Sequence, residues 1–272
     1  MKIYEPQGRA REYSPLALNI KRGCSHSCLY CYVPQMFLKY NKSYVHSQVT
    51  ANTDFLILEK SAKKLMGCNK QILLSFTGDP YCGVSPETTS KSLEILLKYQ
   101  HKVAILTKGG SRCLKDLEIF KKYGNSIKVG ATLTFDNVKD SYEWECNAAI
   151  PSDRIDTLRI LKENGIRTWV SFEPVIFPNQ TLNLLEIVSD FIDEVKVGKI
   201  NNYKNLDKNI DWNSFIRDVV SICRNKEVPF YIKKDLLIFN EDTKLNTNET
   251  DQDYLNIKDF GLKDDVKNCS LF

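Results

Sequence analysis

The stretch LALNIK (residues 16–21) followed by RGCSHSCLYCYVP (residues 22–34) decides how the rest of the chain is read. Six residues with strand character run into a loop carrying Cys24, Cys28 and Cys31, spaced Cys-x3-Cys-x2-Cys. Three thiols this close cannot serve as disulfide partners of one another. Three thiolates can reach three irons of a cubane, because iron–sulfur clusters are held by cysteines from short loops. A four-iron cluster gripped by three cysteines leaves one iron open to a cofactor or substrate, as a catalytic metal site keeps an open position. A loop of this kind directly after a strand is what a parallel α/β fold places at its reactive face.

Outward from this loop, short β-branched runs alternate with longer helical patterns. Strands are expected at 16–21, 71–76, 103–107, 127–135, 167–174 and 194–199, with a seventh at 230–233. Helices are expected at 54–66, 85–99, 114–122, 152–163, 182–192 and 212–226. Ser85 with Pro86 reads as one helix start, and Asn164-Gly165 as another helix's end. Successive βα units with right-handed crossovers roll into a barrel, so the expected fold is α/β, a partial (β/α)6 TIM-type barrel. Residues 1–235 form the barrel domain, with an extension over 1–14. Residues 236–272 form a C-terminal extension, with a hairpin expected over 236–248 and an acidic tail beyond.

Composition agrees with a globular chain: 272 residues, 42% hydrophobic and 26% charged. No apolar run approaches membrane-spanning length, and residues 1–15 lack the apolar segment of a secretory signal, so the expected location is cytoplasmic with no membrane partner. Nine cysteines, an odd number with one tight cluster, do not resemble a disulfide framework. The net charge of +4 is uneven. Basic residues prevail in the first fifty positions and acidic ones after 235.

Other readings of the cysteine loop are open. A zinc-binding structural module could recruit His26, but Cys24-x-His26-x-Cys28 is cramped and departs from usual zinc spacings. A ferredoxin-like electron-transfer centre would need a fourth cysteine, and none is paired with the loop in sequence. A core role fits poorly with Arg22, Gly23, Ser25, His26 and Ser27 among the cysteines.

The loop resembles the cysteine motif of the radical S-adenosylmethionine (SAM) superfamily, with Tyr30 in its aromatic position. The resemblance implies a [4Fe–4S] cluster on Cys24, Cys28 and Cys31, with SAM chelated to the free iron. Reductive cleavage of SAM would then give a 5′-deoxyadenosyl radical that abstracts hydrogen from substrate. It also implies an electron donor of flavodoxin or ferredoxin type. SFTGDPYCG (residues 75–83) sits where the family binds the SAM amino group, which makes Thr77, Gly78 and Asp79 candidates, although the usual Gly-Gly-Glu is absent. Lys108 at the end of the third strand is a candidate for the SAM carboxylate, and Thr132, Thr134 and Glu173 are further strand-end candidates.

The Thr107-Lys108 pair, Arg154 in PSDRIDTLRILKENGI and the cysteine loop resemble the spore photoproduct lyase-related branch over about residues 14–235. Tyr30 and Tyr32 flank Cys31 as aromatic residues do in that lyase, which repairs DNA. There a cysteine before the acidic turn donates hydrogen. Here that stretch is LLSF, with Cys82 after the turn as the candidate donor. This departure puts DNA repair itself in question, and leaves a nucleic acid or nucleotide as the substrate expectation.

Overall fold

The computed structural model describes residues 1–201, 203, 206 and 208–258. The first expected strand divides in two: β1, Leu16–Leu18, enters the main sheet, and β2, Lys21–Arg22, pairs antiparallel with β3, Thr50–Ala51. Asn19 makes the break, since its Oδ1 accepts from the amides of Phe76 (2.8 Å) and Thr77 (3.3 Å). Between the two short strands lie the cysteine loop and α1, Val33–Lys39.

The regular βα alternation follows. In chain order come α2 (Phe55–Lys64), β4 (Ile72–Leu74), α3 (Pro86–Lys98), β5 (Val103–Thr107), α4 (Leu117–Tyr123) and β6 (Ile127–Thr132). Next are α5 (Val138–Trp144), α6 (Pro151–Glu163), β7 (Arg167–Val175), α7 (Pro178–Val188), β8 (Glu194–Lys199), α8 (Trp212–Asn225) and β9 (Phe230–Ile232). Pro at the first turn opens α3, α6 and α7, where a missing N–H costs nothing. Ser85 precedes α3 with φ +46° and no side-chain cap, so Pro86 rather than the hydroxyl marks that start. Gly165, at φ +75°, ends α6 as its sequence predicts.

Seven parallel strands form one sheet in the order β1-β4-β5-β6-β7-β8-β9. It does not close, and β1 and β9 are its edges. This is a partial α/β barrel. The strands alternate with period two. Ile72, Leu74, Val103, Ile105 and Val129 pack outward beneath α2, α3 and α4. Val170, Phe172, Val195 and Val197 do the same beneath α7 and α8. Each such fully buried side chain contributes about 1.5–3 kcal/mol. The intervening positions face the lumen, where Leu73, Ala104 and Trp169 pack on Tyr13. Gly130 makes room for Trp169: a Cβ there would stand 2.5 Å from the indole Nε1.

The terminal segments cover the open side. Tyr4 bridges Ala17 antiparallel, protecting the β1 edge. Glu12 accepts from Tyr231 (2.8 Å) and from the Lys234 amide (3.0 Å) beside β9, and Arg11 holds Asp253 through two contacts of 2.7 Å.

Two expectations are corrected. Strand β6 stops at Thr132 instead of 135, because Asn137 caps α5 by accepting from the Asp140 amide. No hairpin forms over 236–248. That region holds α9 (Lys234–Leu237) and leads into α10 (Thr247–Thr250). Asn246 and Glu249 make a capping box, a helix-start signal that overrides strand pairing, and Glu249 pairs with Arg224 at 2.7 Å. The far end of the acidic tail, with Cys269, lies outside the described residues.

Candidate functional site

The cysteine loop is stitched to the loop after β4. Gly23 donates to the Thr77 carbonyl (3.2 Å), Thr77 Oγ1 to the Lys21 carbonyl (2.7 Å) and Lys21 Nζ to the Pro80 carbonyl (2.9 Å), while Ser25 donates to the Cys82 carbonyl. The loops touch at two glycines. A Cβ on Gly78 would lie 2.4 Å from the Gly23 carbonyl oxygen, and Gly23 has φ +86°. Thr77 and Gly78 therefore build the wall behind the cysteines.

Within the loop, Ser27 N bonds the Cys24 carbonyl and Cys31 N the Cys28 carbonyl, so two tight turns set the path of the backbone through the three cysteines. All eight described cysteines are free thiols. Burial pushes the Cys28 thiol up to about 12, with the Lys108 ammonium pulling against it. The Cys24 and Cys82 thiols act on each other, which raises Cys24 and lowers Cys82. The expected hydrogen donor, Cys82, is 2% exposed and sits against a cysteine of the loop.

Among the described residues, no three His, Cys, Asp or Glu side chains converge on a point that could hold one metal ion. His26 has turned away from the cysteines. Its Nε2 accepts from Arg112 (3.1 Å) and its Nδ1 faces Asp79 Oδ2 (3.5 Å). Burial pushes this imidazole down to about 4, so it is neutral near pH 7. This geometry does not form a single-zinc site. A cubane makes a different demand, one thiolate for each of three irons around a single cluster rather than three on one ion. The three soft thiols fit that donor set.

Asp79 is a structural hub. Its Oδ1 accepts from Thr107 Oγ1 and the Tyr81 amide, both at 2.7 Å, and its Oδ2 from the Lys108 amide at 2.8 Å. Burial alone would raise this carboxyl, yet the adjacent His26 and, after it, those donors hold it below its ordinary range. It ties the loop after β4 to the end of β5, and thereby sets Lys108.

Beside the cysteines lies a network that joins four of the sequence candidates through one residue the sequence did not mark. Tyr30 donates its phenol proton to Glu145 Oε1, and Thr134 Oγ1 lies 3.3 Å from the phenol oxygen. Glu145 Oε2 accepts from Arg154 Nη2 at 2.5 Å. The other two guanidinium nitrogens donate to the carbonyls of Ala149 (2.7 Å) and Thr132 (2.9 Å), so all three nitrogens of Arg154 are engaged within the protein. Lys108 Nζ sits 5.3 Å over the Tyr30 ring. Among the described residues its ammonium makes no hydrogen bond or ion pair. Burial would lower it, but Cys28 and Glu145 raise it more, so it stays charged. A lone cation beside the cysteines fits an anionic group of a bound cofactor.

Glu173 belongs to a separate lumen cluster. It accepts from Lys233 Nζ (2.6 Å) and from the Tyr13 phenol, whose oxygen is 2.9 Å from Ser171 Oγ. Lys233 lies 4.5 Å over the Tyr13 ring. The sequence places Glu173 in the lumen with a partner, and its partners come from the N-terminal extension and β9. Tyr32 is 44% exposed and donates to the Phe76 carbonyl (3.0 Å) at the mouth. Glu145 and Tyr13 carry no local signal, because their partners are distant in sequence.

Among known proteins, the family model described as the radical SAM superfamily matches residues 18–192. An uncharacterised protein of Methanocaldococcus jannaschii is 33% identical over 159 residues, covering 57% of this chain and 58% of the relative. An uncharacterised protein of Acidianus two-tailed virus is 28% identical over 174 residues, covering 60% of this chain and 57% of the relative. The matches thus span less than two thirds of either relative. Among solved structures, a spore photoproduct lyase variant with bound AdoMet and dinucleoside spore photoproduct superposes with TM-score 0.64 at 11% identity, covering 84% of this chain and 78% of that one. Streptococcus suis SuiB bound to the precursor peptide SuiA gives 0.62 at 15% identity, covering 82% and 49%. These structures share the partial barrel. Membership implies SAM and an iron–sulfur cluster as cofactors, and with a family match that covers the cysteine loop and the strands β4 to β7, this chain belongs to the radical SAM superfamily.

Proposed function

We propose that this chain reductively cleaves SAM on a [4Fe–4S] cluster held by Cys24, Cys28 and Cys31, and turns the resulting radical on a nucleic acid or nucleotide substrate. The observation that carries the first half is Lys108, a half-buried cation with no hydrogen-bond or ion-pair partner among the described residues, held over Tyr30 beside Cys28. When bound, the two cofactors supply an electron and a 5′-deoxyadenosyl radical able to abstract hydrogen. The chain's own residues hold and orient. Lys108 pairs with the SAM carboxylate, a charge-assisted contact in a partly dry site. Thr132 and Thr134 offer polar groups at the end of β6, and Tyr30 forms the wall. Asp79 and Arg154, with their hydrogen-bonding capacity used internally, act as positioning residues. Tyr32 stands at the mouth, where substrate would enter, and Glu173 lies deeper in the lumen with Lys233.

The substrate class rests on charge and exposed rings. Residues 13–53 contain Lys21, Arg22, Lys39 and Lys42 and no acidic residue. Tyr40 is 71% exposed beside the cysteine loop. Basic groups interleaved with aromatic rings suit a phosphate backbone with stacked bases. The likeness to a lyase holding a dinucleoside supports the same class. The lyase's repair reaction is not carried over, because Cys82 is packed against Cys24. As a family member the enzyme needs a reductant, and a small flavodoxin- or ferredoxin-like carrier is the expected one.

The test is anaerobic reconstitution followed by reduction with SAM present. About four irons per chain and release of 5′-deoxyadenosine are expected, with Cys82→Ala retaining its iron. Colourless, iron-free protein, or an iron-loaded protein inert toward SAM under strong reduction, would overturn the reading. Binding to single-stranded oligonucleotides that weakens steeply with salt is expected. Salt-insensitive or absent binding removes the substrate class.

A further inference from the structure

We propose that Glu145 is the positioning residue of the cofactor site: its buried carboxylate, fixed by Arg154, pins the Tyr30 phenol so that the ring supports the Lys108 ammonium beside the cysteine loop. The inference rests on the SAM-binding reading above and adds to it a residue outside the cysteine motif and the strand ends.

The geometry is an unbroken chain of contacts. Arg154 spends its donors on Ala149, Thr132 and Glu145, all within 2.9 Å, so the guanidinium has one place to be. That fixes Glu145 Oε2, and Oε1 then receives the Tyr30 proton. Thr134 holds the phenol from the other side. Tyr30 lies between Cys28 and Cys31, so the tether fixes the middle of the second turn of the cysteine loop. Its ring face carries Lys108. The loop is further secured at Leu29, whose amide bonds the Trp144 carbonyl, next to Glu145 (2.9 Å). Glu145 is 1% exposed and Arg154 equally so. A buried ion pair of this sort is weak evidence of stabilisation as such. Here it aims one aromatic ring and, through that ring, one cation. The need for it is plain from Lys108 itself: a four-carbon side chain without a hydrogen-bond partner among the described residues is held by what it lies on, the Tyr30 ring.

The experiment compares Tyr30→Phe, Glu145→Gln and the double variant, reconstituted alongside wild type. Iron content, thermal stability and SAM affinity are measured, the last from the change in the reduced cluster's electron paramagnetic resonance signal on titration. Tyr30→Phe removes one oxygen and keeps the ring, so folding is expected to survive even where Glu145→Gln, which leaves Arg154 unpaired, does not. Full iron loading with SAM affinity about tenfold weaker, equivalent to 1.4 kcal/mol, is expected for Tyr30→Phe. The double variant should bind SAM no more weakly than Glu145→Gln, because both cuts sever one tether. Wild-type affinity in Tyr30→Phe, additive losses in the double variant, or loss of iron in Tyr30→Phe would each overturn the inference. The reading it rests on fails separately, if wild type itself takes up no cluster or shows no SAM-dependent signal.

Discussion

Replacing Asp79 by alanine separates the two tasks a carboxylate at this turn could have. If it were a surface ligand for a cofactor, its loss would leave the apoprotein's stability untouched. The structure says otherwise. The Asp79 carboxylate, its side chain 10% exposed, accepts from Thr107 Oγ1 and the Tyr81 amide at 2.7 Å and from the Lys108 amide at 2.8 Å. The Thr107 hydroxyl can rotate to another acceptor, but the two amides cannot. Each buried donor left unsatisfied costs about 1–3 kcal/mol. Allowing some water to enter, Asp79→Ala should lose about 3–5 kcal/mol. For a chain of this size that is a fall in Tm of about 10 °C. Asp79→Asn keeps one acceptor oxygen but turns an amide group toward either the Lys108 N–H or the other two donors, so about half the loss is expected. The assay is urea unfolding of the reduced apoprotein, free of cluster and SAM, with an unchanged slope required before the midpoint is read as stability. A loss under about 1 kcal/mol for the alanine variant would refute the hub.

Three further outcomes follow from other parts of the fold. Lys233→Met should cost about 2–3 kcal/mol by stranding Glu173 in the lumen, and Lys233→Met/Glu173→Gln should recover most of it in thermal melts; a double variant worse than the single would remove the pairing argument. Gly130→Ala should cost about 2–3 kcal/mol. Trp169→Phe should not rescue it, because the Trp169 carbonyl, 2.5 Å from the added Cβ, remains. The pH dependence has a defined sign. Burial would raise Glu249 and Asp253, but Arg224 and Arg11 hold both below their ordinary values of 4.5 and 3.8. Folding therefore gains from these groups above those values and loses the gain as pH falls through the lower folded-state ones, where the unfolded chain binds more protons. The share of Tm from these two carboxylates should be level above about pH 6 and decline below pH 4.5, while His26, held down at about 4 by burial, adds its own decline below its ordinary value of 6.5. Arg224→Leu should make the decline shallower, and an unchanged slope in that variant would count against the assignment.

Much of the architecture was legible in the chain because it repeats. Strand β5 falls on 103–107 as its apolar run predicts, and α6 ends at the expected glycine. Period-two alternation separates the outward Val195 and Val197 from the lumen-facing Glu194 and Lys196, a pattern local residues can write. The β2–β3 ribbon was not legible, since two residues on each side carry no periodicity and the pairing is set by the loop they bracket. The C-terminal segment carries a strand-like run, LLIF, yet forms short helices, because the capping box at Asn246 starts a helix there.

The sequence by itself determined a three-cysteine loop after a first strand, the βα repeat behind it, and the positions of Lys108 and Asp79 at strand ends. Each depends on neighbours a few residues away. Only the tertiary structure decided that Asp79 faces inward as a hub and that Lys108 has no hydrogen-bond or ion-pair partner among the described residues. It also joined Tyr30 to Glu145, 115 positions apart, and Tyr13 to Glu173, 160 apart. A buried carboxylate is indistinguishable from a solvated one in sequence, because its meaning lies in which distant donors the fold delivers to it.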